Sequence, residues 1–570
     1  MAEMRKFSQG DFPGAVPSKP VPVADLGEKS PSPAGTPVAF LPVQEVVPMH
    51  REGEAGQADV IRLLSDPATH GGAPVQRIDT HASVVFLAGD RALKLKRAVT
   101  YDYLDFSTVD RRKRFCEAEL RINGRIAPGL YRRVIPVVRT HTGGLALEGD
   151  GTPVDWVVEM TRFDQERLFD RMAAAGRLEV EQMVPLAEEI ASFHESCAAR
   201  PDFGGEAAIA RVIAGNGEGL RKFGRDVFST VACDSLTLAS RTALRDRGAL
   251  LELRRKAGFV RECHGDLHLG NIVLWADRPT LFDAIEFNDE IACVDVMYDL
   301  AFLLMDLWHR TLPWHANTVL NTYLRETRDF EGLAALPLFL ACRAAIRAKT
   351  SATAASLQAD ADTQREMNVR ARDYLGLAAR LLRGHPPALV AVGGLSGSGK
   401  STLAYALAPA IGAAPGAVVL RSDEIRKRLW GVTPLTKLEA AAYTPEMSMR
   451  VYETLAADAE AVVRTGHSVI VDAVFARAAD RVAIERAARA AGVAFAAVWL
   501  EAPEPVLVER IAARGPDVSD ATADVVRMQW AQSAGDVRWP RVDAAVDVEH
   551  VVVRARTALQ RQMVALDAAA

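Results

Sequence analysis

Residues 388–402 confine this chain more tightly than any other stretch. The apolar run Ala388 to Val392 leads into Gly394-Leu395-Ser396-Gly397-Ser398-Gly399-Lys400-Ser401-Thr402, and a helical pattern follows. Glycines at Gly394, Gly397 and Gly399 let backbone N–H groups turn inward around an anion, and the start of a helix adds favourable potential there. Strand, glycine-rich turn and helix in that order are the setting of a phosphate-binding P-loop. Lys400 is placed to reach the β- and γ-phosphates, Ser401 to ligate Mg²⁺, and Thr402 completes the nucleotide-binding run. Apolar strands recur at Val418–Leu420, Ser468–Val471 and Phe495–Leu500, with Ala- and Arg-rich amphipathic helices between them. This alternation predicts an α/β P-loop NTPase domain with a parallel sheet over residues 384–570. Asp472, at the end of the Val469–Val471 strand, is the carboxylate expected to act on magnesium-bound water.

A chain of 570 residues is too long for one hydrophobic core, so further domains are required upstream. A second phosphate-handling pattern lies in the middle: His264-Gly265-Asp266-Leu267-His268-Leu269-Gly270-Asn271. Phosphoryl transfer needs a group to orient the attacking hydroxyl, oxygen ligands for Mg²⁺ and a cation on the phosphates. Asp266 can accept the substrate proton. Asn271 can offer its amide oxygen to a metal, and Asp283, at the end of a strand, can supply the carboxylate that bridges metal and phosphates. Upstream, residues 75–78, 84–88, 92–96, 131–138 and 155–160 read as strands, with a helix over 109–126, before the pattern turns helical from Val184. A strand-rich lobe before a helical one predicts an α+β protein-kinase-like two-lobed domain over residues 56–383.

The order HGDxxxxN, strand aspartate and Asp299-Leu300-Ala301 resembles the aminoglycoside phosphotransferase and small-molecule kinase family. The resemblance implies that Asp299 braces the loop and that a lysine on the third strand holds the α/β-phosphates. Lys94 is preferred for that role, although strand alternation puts Lys96 on the same face. Glu119 is the implied partner on the helix, in preference to Glu117. The turn Thr80-His81-Ala82-Ser83 takes the place of a phosphate-covering loop, with Ser83 on the nucleotide, and Glu159 and Met160 would form the hinge to adenine. His264 is expected to brace the loop rather than react.

The second module resembles P-loop small-molecule and polynucleotide kinases. There a strand-end aspartate, here Asp423, receives the acceptor hydroxyl, and an arginine, here Arg426, steers it; the alternative for Asp423 is a helix N-cap. Arg510 and Arg514 would close a lid with Asp517, Ser519 and Asp520, or else form a solvated cationic face. The order of modules resembles a bacterial two-domain family, an aminoglycoside-phosphotransferase-like kinase domain fused to a P-loop kinase-like (AAA family ATPase, zeta-toxin-like) domain. It implies an ATP- and Mg²⁺-dependent phosphotransferase acting on a small hydroxyl compound; the alternative is an ATP-gated regulatory or sensor protein. Glu286, Asp289 and Glu290 would favour a cationic acceptor, whereas Arg343, Arg347 and Lys349 would favour an anionic one.

A net charge of −5 gives no support for nucleic-acid binding, and no apolar run approaches the ~20 residues of a membrane span. Six cysteines without a CxxC pair fit buried thiols in a reducing cytoplasm. Nine of the 29 prolines precede residue 50, so residues 1–55 read as a disordered tail, unless translation starts at Met49.

Overall fold

The computed structural model of the protein describes residues 52–567 apart from 102, 516, 533 and 534. Residues 1–51 of the expected tail lie outside the described residues, and the first helix, α1 (Glu52–Ser65), starts inside that tail's expected end. Six strands then form one antiparallel sheet: β1 (Val75–Asp79), β2 (Ser83–Ala88), β3 (Arg91–Lys96), β4 (Tyr131–Arg139), β5 (Leu145–Leu147) and β6 (Thr152–Thr161), in the order β1-β2-β3-β6-β4-β5. Ala88 pairs with Arg91 across the Gly89-Asp90 turn, where Gly89 takes φ +58°, the left-handed backbone of a tight hairpin. Helix α2 (Val109–Ile126) is capped by the Thr108 hydroxyl, which accepts from the Arg111 N–H at 3.3 Å. Its buried Arg112, Cys116, Glu119, Asn123 and Ile126 recur every three or four residues and so face the sheet together. Arg112 closes a bidentate pair on buried Asp155 of β6 at 2.7 and 3.1 Å, which pins helix to strand.

The helical lobe contains α3 (Met183–Ser196), α4 (Gly205–Phe223), α5 (Thr230–Lys256), α6 (Val296–His309), α7 (Pro313–Thr327), α8 (Leu336–Ser356) and α9 (Ala361–Leu381). The HGD loop and the short hairpin β7 (Ile272–Trp275) and β8 (Arg278–Leu281) lie between α5 and α6. Helix α6 is buried over Val296–Leu307, so whatever its carboxylates hold is held rigidly.

After the connection at 382–387 the second module opens with β9 (Ala388–Gly394), all seven residues buried. It continues through α10 (Lys400–Leu407), β10 (Val418–Arg421), α11 (Ser422–Leu429), α12 (Pro445–Arg464), β11 (Val469–Asp472), α13 (Ala478–Ala491) and β12 (Ala494–Glu501). It ends with α14 (Glu504–Ala513), α15 (Ala523–Gln532), β13 (Arg541–Asp543) and α16 (Val548–Asp567). The five strands are parallel, in the order β10-β11-β9-β12-β13. Leu389 and Ala391 of β9 enter an apolar core continuous with the helical lobe, while Val390 and Val392 enter a second core under α10 and α16. That two-sided burial is why these strands read as unbroken apolar runs.

The edge strand β10 is covered by the kinase-like domain itself. Buried Asn321 of α7 accepts from the Val419 N–H at 2.6 Å and donates to the Ala417 carbonyl at 3.2 Å. Asn317, one turn earlier, donates to the Pro415 and Ala417 carbonyls, both at 3.1 Å. Two amide side chains thus take the place of a neighbouring strand. Asn321→Ala strands a buried backbone N–H and should cost about 1–3 kcal/mol. Urea denaturation measures this, and an unchanged midpoint would mean that the strand edge is satisfied another way.

Candidate active sites

In the first cleft, Glu119 of α2 is fully buried and receives two ammonium groups. Lys94 lies 2.8 Å from one carboxylate oxygen and Lys96 2.6 Å from the other. Lys94 also reaches Asp283 at 2.5 Å, whereas Lys96 turns inward to Glu286. The lysine side chains retain 14% and 1% exposure respectively, so Lys94 faces the cleft and Lys96 anchors the helix. Burial pushes the Glu119 carboxyl up, but the two lysines overcome it and hold the group at about 2. Glu117 points elsewhere, to Lys113 at 3.7 Å on an exposed face.

The loop opposite is braced from behind. Asp299 of α6 accepts from the His264 and Gly265 N–H groups at 3.1 and 2.8 Å, and His194 meets its other side at 3.1 Å. His264 contacts the Phe282 carbonyl at 2.9 Å through Nε2, and burial keeps its imidazole below the ordinary histidine value. Arg343 donates to the Gly265 and Tyr298 carbonyls, a brace on the loop and not an acceptor-binding cation. Asn271 donates to Asp266 Oδ2 at 3.0 Å, and His268 stands 3.4 Å from the same oxygen. Burial opposes the Asp266 charge, but His268, His264 and Arg347 more than offset that, so the carboxyl stays far below its ordinary value. Asp283 takes φ +62°, a backbone that aspartate tolerates better than most residues, with its N–H on the Tyr131 hydroxyl at 3.1 Å.

The β1–β2 turn reaches this site. His81 falls to about 4 through burial, against the pull of Asp266 and Asp283. Ser83, the first residue of β2, is buried and closes the turn by donating its N–H to the Thr80 hydroxyl at 2.9 Å. The expected hinge is displaced. Glu159 and Met160 lie inside β6, paired to β3 on one side and β4 on the other, and the Glu159 carboxylate is clamped by Arg91 at 2.7 Å and Arg133 at 2.8 Å. The strand runs on to Thr161, so a connection with backbone groups to spare can only follow that residue.

In the second module, Gly394, Gly397 and Gly399 all have positive φ. The Lys400 ammonium folds back on the Leu395 carbonyl at 3.0 Å, and the Ser401 hydroxyl donates to Asp472 Oδ2 at 2.5 Å. Hydroxyl and carboxylate oxygens at one spot are the hard donor set that Mg²⁺ takes, as are the Asn271 amide and Asp283 carboxylate oxygens in the first cleft. Burial lowers the Lys400 pKa, with Arg421 and Arg514 adding repulsion against the pull of Asp472 and Asp423. Asp423 sits in the first turn of α11, but the N-cap position belongs to Arg421, whose side chain makes no cap bond. The cap alternative for Asp423 thereby loses its support. Arg426 donates to the Ala442 carbonyl at 2.7 Å and lies 4.8 Å from the Tyr443 ring centre.

The paired lid arginines are corrected. Helix α14 ends at Ala513, so Arg514 is an extended C-cap residue and does not share a helical face with Arg510. Arg514 reaches the Ser519 carbonyl at 2.9 Å, whereas no polar contact among the described residues draws Arg510 to the site. Sequence reasoning passed over Arg421. Its buried guanidinium lies 3.4 Å from Asp472, 3.5 Å from Glu424 and 3.3 Å from Asp517, joining the end of β11 to the loop that follows α14. The only signal was its place, an arginine ending an apolar strand just before Ser422-Asp423.

A two-lobed protein-kinase-like domain followed by a P-loop NTPase domain is thus the class of fold present. The model of the AAA domain family matches residues 389–538. "Uncharacterized protein Rv2004c" of Mycobacterium tuberculosis (strain ATCC 25618 / H37Rv) is 30% identical over 489 residues, 84% of this chain and 94% of that protein. "Uncharacterized protein Mb2027c" of Mycobacterium bovis matches to the same extent. The chain belongs to the family of these mycobacterial proteins, with an aminoglycoside-phosphotransferase-like domain before a P-loop kinase-like one. Among solved structures, a gluconokinase from Sinorhizobium meliloti 1021 is 24% identical, covering 31% of this chain and 94% of its own, at TM-score 0.24. A choline/ethanolamine kinase family protein from Mesorhizobium loti is 14% identical, covering 57% and 95%, at TM-score 0.33.

Two outcomes follow from this geometry. The unfolded chain protonates Glu119 near 4.5 and the folded one near 2, so stability is lost as pH falls through that window. Glu119→Gln should flatten this slope in a denaturation series and lower stability at neutral pH, where two buried lysines lose a counter-charge. At Gly397, φ is +82° and a Cβ would stand 2.7 Å from the Leu507 carbonyl oxygen. Gly397→Ala should therefore weaken nucleotide binding at the P-loop by about tenfold or more, read by titration with a fluorescent ATP analogue.

Proposed function

We propose that the protein is an ATP- and Mg²⁺-dependent phosphotransferase acting on small hydroxyl compounds, with both modules competent. The observation that carries this reading is the connected set Glu119–Lys94–Asp283 facing the Asp266–Asn271 pair. A structural ion pair would not need a cleft-facing lysine shared between a helix carboxylate and a strand-end aspartate in the left-handed region. In the first module Lys94 holds phosphate oxygens, and the ionised Asp266 accepts the hydrogen bond of the acceptor hydroxyl. Asp266 takes that proton as the new oxygen–phosphorus bond forms and the bond from the γ-phosphorus to the β,γ-bridging oxygen breaks, with ADP as the leaving group. Asn271 and Asp283 would hold the metal, as Ser401 and Asp472 would in the second module. When bound, Mg²⁺ supplies neutralisation of phosphate charge. In the second module Lys400 takes the phosphates, Asp423 orients the hydroxyl, Arg426 steers the acceptor and Arg514 approaches from the lid side.

Glu286 is paired with Lys96, Asp289 with Arg200 at 3.1 Å and Glu290 with Arg211 at 3.5 Å, which removes support for an acidic pocket. No helix among the described residues is long and apolar enough to cross a membrane, and all six cysteines are buried thiols, in keeping with a reducing cytoplasm. ATP consumption measured against a panel of sugars, nucleosides and aminoglycosides tests the reading. Asp266→Asn should lower turnover of the first module's acceptor about 10²–10⁴-fold. Lys400→Ala should abolish turnover of the second module's acceptor and spare the first. Turnover unchanged from background in both variants would favour the ATP-gated regulatory reading instead.

A further inference from the structure

The HGD loop carries two histidines, His264 and His268, and hydrogen bonding fixes the tautomer of each. A backbone N–H can only donate and a carbonyl can only accept, so the group opposite a ring nitrogen decides whether that nitrogen holds the proton. His264 Nδ1 accepts from the Asp266 N–H at 3.4 Å, and its Nε2 meets the Phe282 carbonyl at 2.9 Å. The His264 proton is therefore on Nε2 and directed at the backbone. His268 Nδ1 likewise accepts from the Gly270 N–H, at 3.0 Å, so a neutral His268 also carries its proton on Nε2. That atom is buried and makes no hydrogen bond among the described residues. The carboxylate oxygen beside it is Asp266 Oδ2, 3.4 Å away.

The imidazole is held where it stands. His268 is 7% exposed, lies edge-on to Phe302 with ring centres 5.3 Å apart, and packs against Gly270. A Cβ on Gly270 would stand 2.8 Å from His268 Cε1, so only glycine at that position lets the ring lie against the loop backbone.

The Asp266 carboxylate is thereby approached on one oxygen. Asn271 directs its amide N–H groups to the Asp266 carbonyl at 2.9 Å and to Oδ2 at 3.0 Å. Because the carbonyl must accept, the amide nitrogen is settled at that place, and the Asn271 oxygen is the atom left for a metal. Oδ2 then has Asn271 and His268 beside it, while no donor among the described residues reaches Oδ1. A single donor lets a carboxylate turn about its Cβ–Cγ bond. Two donors at one oxygen fix where the other points, and small misplacements of a reacting group are costly in rate.

We propose that His268 is a positioning residue for the base: its Nε2–H holds Asp266 Oδ2 together with Asn271, so that Oδ1 receives the proton of the acceptor hydroxyl. The acceptor oxygen bonds the γ-phosphorus, the bond from that phosphorus to the β,γ-bridging oxygen breaks, and ADP leaves. His268 takes no proton in this step, because Nδ1 keeps the Gly270 N–H and Nε2 keeps its own hydrogen. A separation of 3.4 Å is long for such a bond, and catalytic hydrogen bonds tighten when the reactants are bound. The assignment rests on the phosphotransferase reading of the same cleft.

The test uses the full chain carrying Lys400→Ala, which silences the second module, with MgATP as donor and water as the acceptor; ADP release is measured. His268→Leu should lower kcat about ten- to hundredfold, the range that a hydrogen bond to a charged group supplies, while the KM for ATP changes less than about twofold. His268→Gln, whose amide N–H can reach the same oxygen, should recover most of the loss. Adding His268→Leu to Asp266→Asn should lower kcat no further, because the histidine acts through that carboxylate. Nitrogen-15 NMR of histidine-labelled protein, with the His268 signal assigned by its loss in His268→Gln, should show the Nε2–H form. An Nδ1–H signal, an unchanged kcat in His268→Leu, no recovery by glutamine, or a full further loss on top of Asp266→Asn overturns the positioning role. ADP release that Asp266→Asn leaves unchanged sinks the phosphotransferase reading of this cleft. Release that needs Asp266 but is indifferent to His268 sinks the histidine's part alone.

Discussion

A carboxylate with no water around it has to be paired, and Glu119 imposes that requirement on the first half of the molecule. Its two oxygens take Lys94 and Lys96 from one strand, so α2 is locked onto β3 in a single register. The lysines then extend the pairing across the cleft, to Asp283 and Glu286 on the far lobe. Breaking one member would leave a buried charge uncompensated, which costs far more than the pair itself contributes. The same ladder that joins the lobes therefore also sets the distance between Lys94 and Asp283.

Helix α7 plays a comparable part for the second half. On one side Tyr323 lies 3.0 Å from His194, which meets Asp299 behind the HGD loop. On another, Asn317 and Asn321 close the edge of β10, whose last residue is Arg421. Arg328, just past the helix, reaches Asp458 of α12 at 2.6 Å. The loop brace of one module and the sheet edge of the other thus share one rigid element.

Legibility in the sequence followed the range of the interaction. Asp266, Asn271 and the P-loop glycines were readable because loop chemistry requires them at fixed short spacings. Lys94 was preferred to Lys96 although residues two apart in a strand share a face; the positions of Asp283 and Glu286 tell the two apart. Glu159 and Met160 were placed too early because a strand's end depends on its partners, and here Arg91 of β3 still pairs with Thr161 and Tyr131 of β4 with Met160. Arg510 and Arg514 were paired on helical spacing, but α14 stops between them, just before Gly515-Pro516. Arg343 and Arg347 looked equivalent on one helix, yet one supports the loop backbone and the other lies beside the Tyr374 ring.

By itself the sequence determined which two nucleotide-handling devices the chain carries and in what order, because glycine freedom, metal-ligand chemistry and strand–loop–helix succession are local properties. The tertiary structure alone decided which lysine meets the cleft and which arginine braces the loop backbone. It also decided that asparagines of one module close the sheet edge of the other. Those outcomes depend on pairing buried charges and backbone groups across distances of tens to hundreds of residues, where only the folded chain says which partner is within reach.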